Sequence, residues 1–437
     1  MGQISLATAL LIGIGTSCAF AQAPAEAAVS KSVEATQPSA ADTNEVPPPS
    51  QGNTQSVFAG SLNGSGLFAL GDEGDGLIAS MTAGGGWDSN PSNSSHTVTS
   101  SLYSLSPYIA VHGAFPKMQL ILQYQPTLIG YTGSYETQVV HAMSAQGAGK
   151  LNERIDWKVN ANASYGANSS RFLAPEPSVP IGNVPGTGTS SASFLPSSNQ
   201  ATYILGSIET NYRRSERGTF MLNLWNSFNS VGDFDQSGGV ATVRTAYSHE
   251  TLPTLTLMVF GQMSQYYGGL KCQGFGGGAG LRWQPSENTA MTAEAGPQIN
   301  TSKCGSQQGY TFSFGYSARL SRNAQLYLMA NRLPMVSYLG PGIWQSGASG
   351  GMQYQVSRAA TARVDFGYAS SSSLTTVNSY RGTSFSASYD VLLGRGFALS
   401  YSYRGYFTNS GGTGYSRNLA LVSLTWRNNA GKLFQTY

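Results

Sequence analysis

The chain has 437 residues, of which 10% are charged and 40% are hydrophobic, and its formal net charge is +3. A soluble globular domain carries roughly a quarter charged residues, so this composition excludes an ordinary soluble surface. The net charge is too small to indicate a nucleic-acid partner. Mean hydropathy is -0.17, which fits a chain that shows apolar residues to lipid and Gly, Ser, Thr, Asn and Gln to water.

The N-terminus has the pattern of a secretory signal peptide. An apolar core from Ile4 to Gly15 precedes Ala19-Phe20-Ala21, the small-x-small form of a signal-peptidase site. We therefore expect residues 1–21 to be removed after Ala21, although no Lys or Arg precedes the core. Lipidation at Cys18 is the alternative, but Gly15-Thr16-Ser17 ahead of it lacks the usual aliphatic residue.

Residues 22–73 are predicted to form a disordered periplasmic linker. The segment is rich in Ala, Pro, Ser, Thr, Gln and Glu, includes Val46-Pro47-Pro48-Pro49, and has no sustained hydrophobic period. Such a composition cannot bury enough apolar area to offset the entropy of ordering. No run of 18 or more apolar residues follows the signal peptide, so no transmembrane helix is expected.

Residues 74–437 show the alternation of a transmembrane β-barrel. Ile155 to Tyr165 is the clearest example, with apolar odd positions and charged or amide-bearing even positions. A strand between lipid and a polar lumen has this period of two, whereas an amphipathic helix does not. The sequence therefore predicts an all-β fold, a transmembrane antiparallel up-and-down barrel of the bacterial outer membrane.

About eighteen strands are predicted, and sixteen if one pair is misassigned. They lie near residues 77–88, 98–113, 118–131, 136–149, 154–168, 200–213, 219–231, 238–249, 253–267, 273–285, 289–300, 308–321, 324–333, 345–357, 360–371, 380–392, 396–408 and 417–428. Every second connection is brief, such as Asn152-Glu153-Arg154, and the others are longer, such as Pro334 to Trp344. Short periplasmic turns and long extracellular loops produce this alternation.

The longest connection and the last strand each suggest a specific role. Ser169 to Asn199 could fold inward and narrow the channel, or it could be a surface loop, and the sequence leaves both open. The last strand places Ala420, Val422, Leu424 and Trp426 outward, and the chain ends on Tyr437. This resembles the terminal signal that the barrel-assembly machinery recognises, with Trp426 or Phe434 as alternative anchors.

Two cysteines remain after signal-peptide removal, Cys272 and Cys304. An even pair in an oxidising compartment predicts a disulfide, here between consecutive extracellular loops. The alternative is a pair of free thiols. Metal binding is not expected from two cysteines alone.

Ionisable residues at inward positions are the candidate pore-lining groups. An arginine on the lipid face near the membrane midplane costs roughly 2 to 4 kcal/mol, which favours inward placement. The set comprises Asp156, Lys158, Arg244, Arg282, Glu294, Arg319, Arg363, Asp365 and Arg404, with Arg427 also inward. Its positive excess predicts a mild preference for anions, while the alternative is that individual charges only pair across the wall.

Catalysis is not expected. A catalytic group needs an orienting partner. Of the four histidines, His96 lies in the first loop, His112 and His249 lie near periplasmic strand ends, and His141 on the fourth strand has no Ser or acidic residue that can be placed beside it. No phosphate-binding loop, metal-ligand spacing or nucleotide fingerprint is present, so no cofactor is expected.

The first strand carries a family resemblance. Ala83-Gly84-Gly85-Gly86-Trp87-Asp88-Ser89-Asn90-Pro91 resembles the opening strand of outer-membrane β-barrel porins associated with exopolysaccharide systems. The resemblance implies a barrel from about residue 75 onward and no catalytic residues.

The sequence therefore predicts a porin-like channel for passive diffusion of small hydrophilic, in particular anionic, solutes. The alternative is an outer-membrane component of exopolysaccharide export or assembly, with the linker meeting a periplasmic partner. A purely adhesive or structural barrel is a third interpretation. The expected partners are membrane lipid, the solutes and the assembly machinery, and the sequence does not distinguish a monomer from a trimer.

Overall fold

The computed structural model describes residues 76–92, 98–115, 117–133, 137–167, 200–231, 234–268, 271–301, 308–337, 340–372, 379–394, 396–410 and 413–428. The predicted signal peptide, the linker, the connection 169–199, Cys304, His96 and the aromatic C-terminus lie outside these residues. The expectations about them stay predictions.

The described residues form eighteen β-strands, in agreement with the predicted number. They are β1 (Gly76–Asp88), β2 (Ser100–Phe115), β3 (Met118–Tyr131), β4 (Gln138–Asn152), β5 (Ile155–Ala167), β6 (Gln200–Arg213), β7 (Gly218–Val231), β8 (Phe234–Leu252), β9 (Leu255–Gly268), β10 (Cys272–Ser286), β11 (Thr289–Asn300), β12 (Gln308–Arg319), β13 (Ala324–Ser337), β14 (Gly340–Ser357), β15 (Ala360–Ser372), β16 (Ser379–Gly394), β17 (Phe397–Ser410) and β18 (Thr413–Asn428). Among these residues, no helix has the length and apolarity needed to cross a membrane.

The strands close into one antiparallel barrel. Each pairs with the strand before it and the strand after it along the chain, from β1 with β2 to β17 with β18. The first and last strands then pair, with Ala79 opposite Asn428 and Asp88 opposite Leu419. Closure leaves no free sheet edge, so every strand can satisfy its backbone groups within the membrane.

The two faces of the wall differ as the alternation predicts. On β18, Val422, Leu424 and Trp426 are exposed on the outer face, whereas Ser423 and Thr425 between them are buried on the inner face. The outer face carries a broad band of exposed apolar side chains, and lipid is the solvent that such a surface requires. The protein is therefore a bacterial outer-membrane β-barrel.

The connections at the two ends differ less than the sequence suggests. At the end where β1 begins they are all short, spanning 116–117, 153–154, 214–217, 253–254, 287–288, 320–323, 358–359 and 395–396. This end is periplasmic by the usual orientation of such barrels. The extracellular connections include the long 168–199, but also the two-residue connections 232–233, 338–339 and 411–412.

The predicted long loop from Pro334 to Trp344 is wrong, because β13 and β14 pair through most of it. Pro334 lies opposite Trp344, and the register shifts between Met335 and Ser337. A proline lacks a backbone N–H and is tolerated in a sheet beside such an irregularity. Proline therefore does not end the strand at this position.

Candidate functional site

The candidate site is the interior face of the barrel. The structure places every predicted pore-lining residue on the side opposite the exposed apolar side chains. Asp365 shows the arrangement: it is buried on the inner face between Val364 and Phe366, which are both exposed on the outer face. Strand alternation alone fixes this placement, since neighbouring residues point to opposite faces.

Arg244 and Glu294 form a largely buried ion pair that spans several strands. Arg244 lies on β8 and Glu294 on β11, and the distance from Arg244 Nη2 to Glu294 Oε2 is 2.6 Å. The Arg244 guanidinium also lies 4.3 Å from the ring centre of Phe260 on the intervening β9. The pair therefore crosses the interior surface of two strands.

A glycine on β10 makes room for this ion pair. A Cβ atom at Gly280 would lie 2.8 Å from Glu294 Cγ. Gly274 and Gly276 on the same face likewise leave space for polar side chains, and Gln262 donates a hydrogen bond of 2.9 Å to Gln298 across the strand. Inward glycines on β10 thus let side chains of its neighbours meet above its backbone.

An inward glycine also makes room for polar side chains on β14. A Cβ atom at Gly351 would collide with Asp365 and with Tyr327, which donates a hydrogen bond to Asp365 across the glycine. Asp365 also accepts hydrogen bonds from Arg363 Nε at 3.0 Å and from Ser386 Oγ at 3.2 Å. Arg363 and Asp365 therefore pair with each other along β15, while Tyr327 and Ser386 reach Asp365 from other strands.

Asp156 and Lys158 take part in looser pairs near the periplasmic end. Arg213 Nη2 lies 3.5 Å from Asp156 Oδ2, and Lys158 Nζ lies 4.0 Å from Glu209 Oε1. About half of each cationic side chain is exposed. Exposed pairs of this kind contribute only about 0 to 1 kcal/mol each.

The remaining predicted arginines divide into two groups. Arg282 on β10 and Arg319 on β12 are exposed on the inner face near the periplasmic mouth. Among the described residues, neither forms an ion pair with a carboxylate. Arg404 and Arg427 are buried on the inner face of β17 and β18.

A buried cluster at the extracellular end was missed from the sequence. Asp88 ends β1, Arg417 lies on β18 and Tyr131 ends β3, and both members of the ion pair are almost fully buried. Arg417 Nη2 donates to Asp88 Oδ2 at 2.5 Å and to Tyr131 Oη at 3.1 Å, while Arg417 Nε lies 3.0 Å from Asp88 Oδ1. The Asn90 backbone N–H adds a 2.9 Å hydrogen bond to Asp88 Oδ1.

This cluster joins the two strands that close the barrel, β1 and β18, whose junction is called the seam below. Farther along the same seam, the hydroxyls of Thr82 and Thr425 are 2.9 Å apart. From the sequence, Asp88 and Asn90 were singled out only as part of the first-strand resemblance. The pairing with Arg417 requires knowledge of how the first and last strands register.

The described histidines lie in different environments. His141 is on the outer face of β4, stacked between Tyr124 and Tyr165, and its Nδ1 lies 2.9 Å from the Tyr124 hydroxyl. His249 lies beside Tyr247 on the outer face of β8. His112 is on the inner face of β2, opposite Gly76. No two of these three side chains share a strand.

Cys272 begins β10 and packs against Val240 and Tyr266 in a buried cluster. Its predicted partner Cys304 lies outside the described residues. Beside Cys272, the Gln273 carbonyl accepts a 2.9 Å hydrogen bond from the backbone N–H of Thr301.

Comparison with known proteins gives no family for the chain. No protein-family model matches the chain, and no curated protein matches it. Solved structures that resemble it include the outer membrane protein OpdK of Pseudomonas aeruginosa (TM-score 0.44, 8% identity, 81% of this chain and 98% of that one). OccK2 (OpdF) of the same organism gives a TM-score of 0.43 at 12% identity over 81% of this chain and 99% of that one. The siderophore receptor PirA of Acinetobacter baumannii gives 0.39 at 6% identity over 82% and 81%. The structural neighbours thus include proteins named as an outer membrane protein and as a siderophore receptor.

Proposed function

We propose that the protein is an outer-membrane channel through which small hydrophilic solutes diffuse passively, with a preference for anions. The observation that carries the proposal is a closed wall of eighteen strands with a polar inner face. Barrels of about 16 to 18 strands are wide enough to enclose an aqueous channel.

The preference for anions rests on how the interior charges are compensated. Asp156, Glu209, Glu294 and Asp365 each lie beside a cation of the wall, whereas the inward Asp390 and Glu250 form no ion pair among the described residues. Arg282 and Arg319 are exposed on the same face without such a partner among the described residues. Exposed cations at a channel mouth attract anions and repel cations.

Ion conductance of the purified protein in planar lipid bilayers tests the proposal. Under a KCl gradient, we expect steady open-channel current and a reversal potential displaced toward that of chloride. The double variant Arg282→Gln/Arg319→Gln should keep the conductance and move the reversal potential toward that of a non-selective pore. Arg358→Gln is the matched control, because Arg358 lies in the turn between β14 and β15 and not on the inner face.

Each outcome bears on a separate part of the proposal. Absence of current would contradict the channel, and current that appears only with a periplasmic partner would support polysaccharide export instead. Current with unchanged selectivity in the double variant would contradict the role of Arg282 and Arg319.

We further propose that Cys272 and Cys304 form a disulfide at the extracellular mouth. It would close about thirty residues and contribute about 3 kcal/mol by constraining the unfolded chain. Peptide mapping by mass spectrometry without reductant should recover the two cysteine peptides as one linked species. Recovery of both peptides as free thiols would contradict the pairing.

We also propose that the barrel-assembly machinery recognises β18. Its outer face carries Val422, Leu424 and Trp426, all exposed in the folded barrel. Trp426→Ser should slow assembly into vesicles by the purified machinery more than Trp87→Ser, which removes an exposed tryptophan from β1. Equal rates for the two variants would contradict this role.

A further inference from the structure

A row of polar side chains crosses the outer face of the barrel on strands β13 to β17. Arg332 lies opposite Ser346, Ser346 opposite Ser370, Ser370 opposite Arg381, and Arg381 opposite Asn409. Directly opposed residues in an antiparallel sheet project from the same face. The five side chains therefore form one lateral row.

The row faces outward. On β16, Arg381 has the parity of Phe385 and Tyr389, which are exposed on the apolar face. Ser386 and Ser388, which lie between those two, are buried on the inner face. On β13, Arg332 lies opposite Phe312 of β12, and its guanidinium lies 4.6 Å from the ring centre of outward-facing Tyr310. Both arginine side chains thus project from the outer, lipid-facing side of the wall.

The row reaches the extracellular boundary of the apolar band at Arg381. Because it runs perpendicular to tilted strands, Arg332 lies about 9 Å lower, and its guanidinium leans toward Tyr310, two residues nearer the extracellular end than the residue opposite it. Toward the periplasm from Arg381, the outward positions of β16 continue through Phe385 and Tyr389 to Leu393, which is also exposed. At about 3.4 Å per residue this is about 40 Å along the strand, and a tilt of about 40° converts it to roughly 30 Å of height. This height exceeds an apolar band of about 25 Å, so Arg381 lies at the level of the outer-leaflet headgroups.

The shape of the row suits a phosphorylated headgroup. Arg332 and Arg381 are three strand spacings apart, which is about 14 Å. The two positions between them, Ser346 and Ser370, carry short hydroxyl side chains that leave the space open. Guanidinium groups bind phosphate through paired charge-assisted hydrogen bonds, and serine hydroxyls can donate to the same group.

The two arginines are distinctive on this surface. Within the strands that the structure describes, no other Lys or Arg has outward parity. Elsewhere the extracellular end of the outer face carries tyrosines instead, including Tyr103, Tyr165 and Tyr267. Tyrosines at this level are a general interfacial belt, whereas two aligned arginines select for negative charge.

We propose that the row from Arg332 to Arg381 binds the phosphate groups of an outer-leaflet glycolipid, the diphosphorylated lipid A portion of lipopolysaccharide. The bound lipid occupies the outer face of β13 to β16, with its phosphates on the arginines and its acyl chains along the apolar band beneath. The proposal concerns the outer surface and is independent of what passes through the lumen.

Binding of defined lipids to the purified full-length barrel in detergent tests this assignment. Native mass spectrometry should detect retention of diphosphoryl lipid A, with weaker retention of its monophosphoryl form. A basic residue near an anionic membrane surface contributes about 1 kcal/mol, so Arg332→Gln or Arg381→Gln should each weaken binding about fivefold and the double variant about thirtyfold. Arg358→Gln, in a periplasmic turn, is the matched control and should bind as the unsubstituted protein does.

A second variant keeps both arginines and changes what lies between them. Ser370→Asp places a negative charge on the row and should also weaken lipid A binding. Far-ultraviolet circular dichroism of each variant verifies the β-barrel. Equal lipid A binding by the double variant and the control would overturn the proposal, and so would retention of phosphatidylglycerol as strong as that of lipid A.

Discussion

Ion pairs at the two ends of the barrel interior use the same chemistry in different surroundings. At the extracellular end of the seam, the Arg417 and Asp88 side chains are 1% and 0% exposed and share several hydrogen bonds. Near the periplasmic end, Lys158 and Glu209 are 4.0 Å apart, and the lysine is half exposed. Burial decides how much each pair matters, since a charge left alone in a dry site is far more costly than one in water.

The largest loss of stability is expected for a substitution at the seam between β1 and β18. Arg417→Gln leaves the Asp88 carboxylate buried without its cation, and such a loss typically costs about 3 to 5 kcal/mol. We expect the free energy of unfolding to fall by this amount in urea titrations of the barrel in phospholipid vesicles, followed by tryptophan fluorescence.

A double variant separates two costs: that of an unpaired buried carboxylate and that of losing the contact itself. Asp88→Asn/Arg417→Gln removes both charges, so it should recover a large part of the stability that Arg417→Gln loses. A double variant as unstable as the single one would show that the seam depends on the shape of the cluster and not on its charge.

An intermediate loss of stability is expected for a substitution at Gly351, where two side chains meet above the backbone. The added Cβ of Gly351→Ala would collide with Tyr327 and Asp365, and overpacking of this kind costs about 1 to 3 kcal/mol. The matched control is Gly261→Ala on β9, where a Cβ meets nothing within 4 Å. The same urea titration should show the difference, and equal stability of the two variants would contradict the role of Gly351.

Local periodicity accounts for what the sequence could predict. The strand number and the inward parity of residues such as Asp156 and Arg363 follow from a period of two, which each segment displays by itself. The extent of β13 and β14 beyond Pro334 was missed because proline marks a loop unless a neighbouring irregularity accommodates it.

The contacts between strands could not be predicted in the same way. Asp88 and Arg417 are separated by 329 positions, and they meet only because the barrel closes with a particular register between β1 and β18. The Arg244–Glu294 pair similarly depends on the stagger of four strands and on the absence of a side chain at Gly280. Alternation gives the face on which a residue lies, whereas closure and stagger determine its partner.

The smallest effect is expected at the exposed pair on β5 and β6. Lys158→Gln should change the free energy of unfolding by no more than about 1 kcal/mol, because water already solvates much of the lysine. Raising the salt concentration should remove most of that small difference by screening the charges, whereas the deficit of Arg417→Gln should persist, because salt ions do not enter a buried site. Urea titrations of both variants at low and high salt make this comparison directly. A loss at Lys158→Gln as large as that at Arg417→Gln would show that burial does not distinguish the two ends of the barrel.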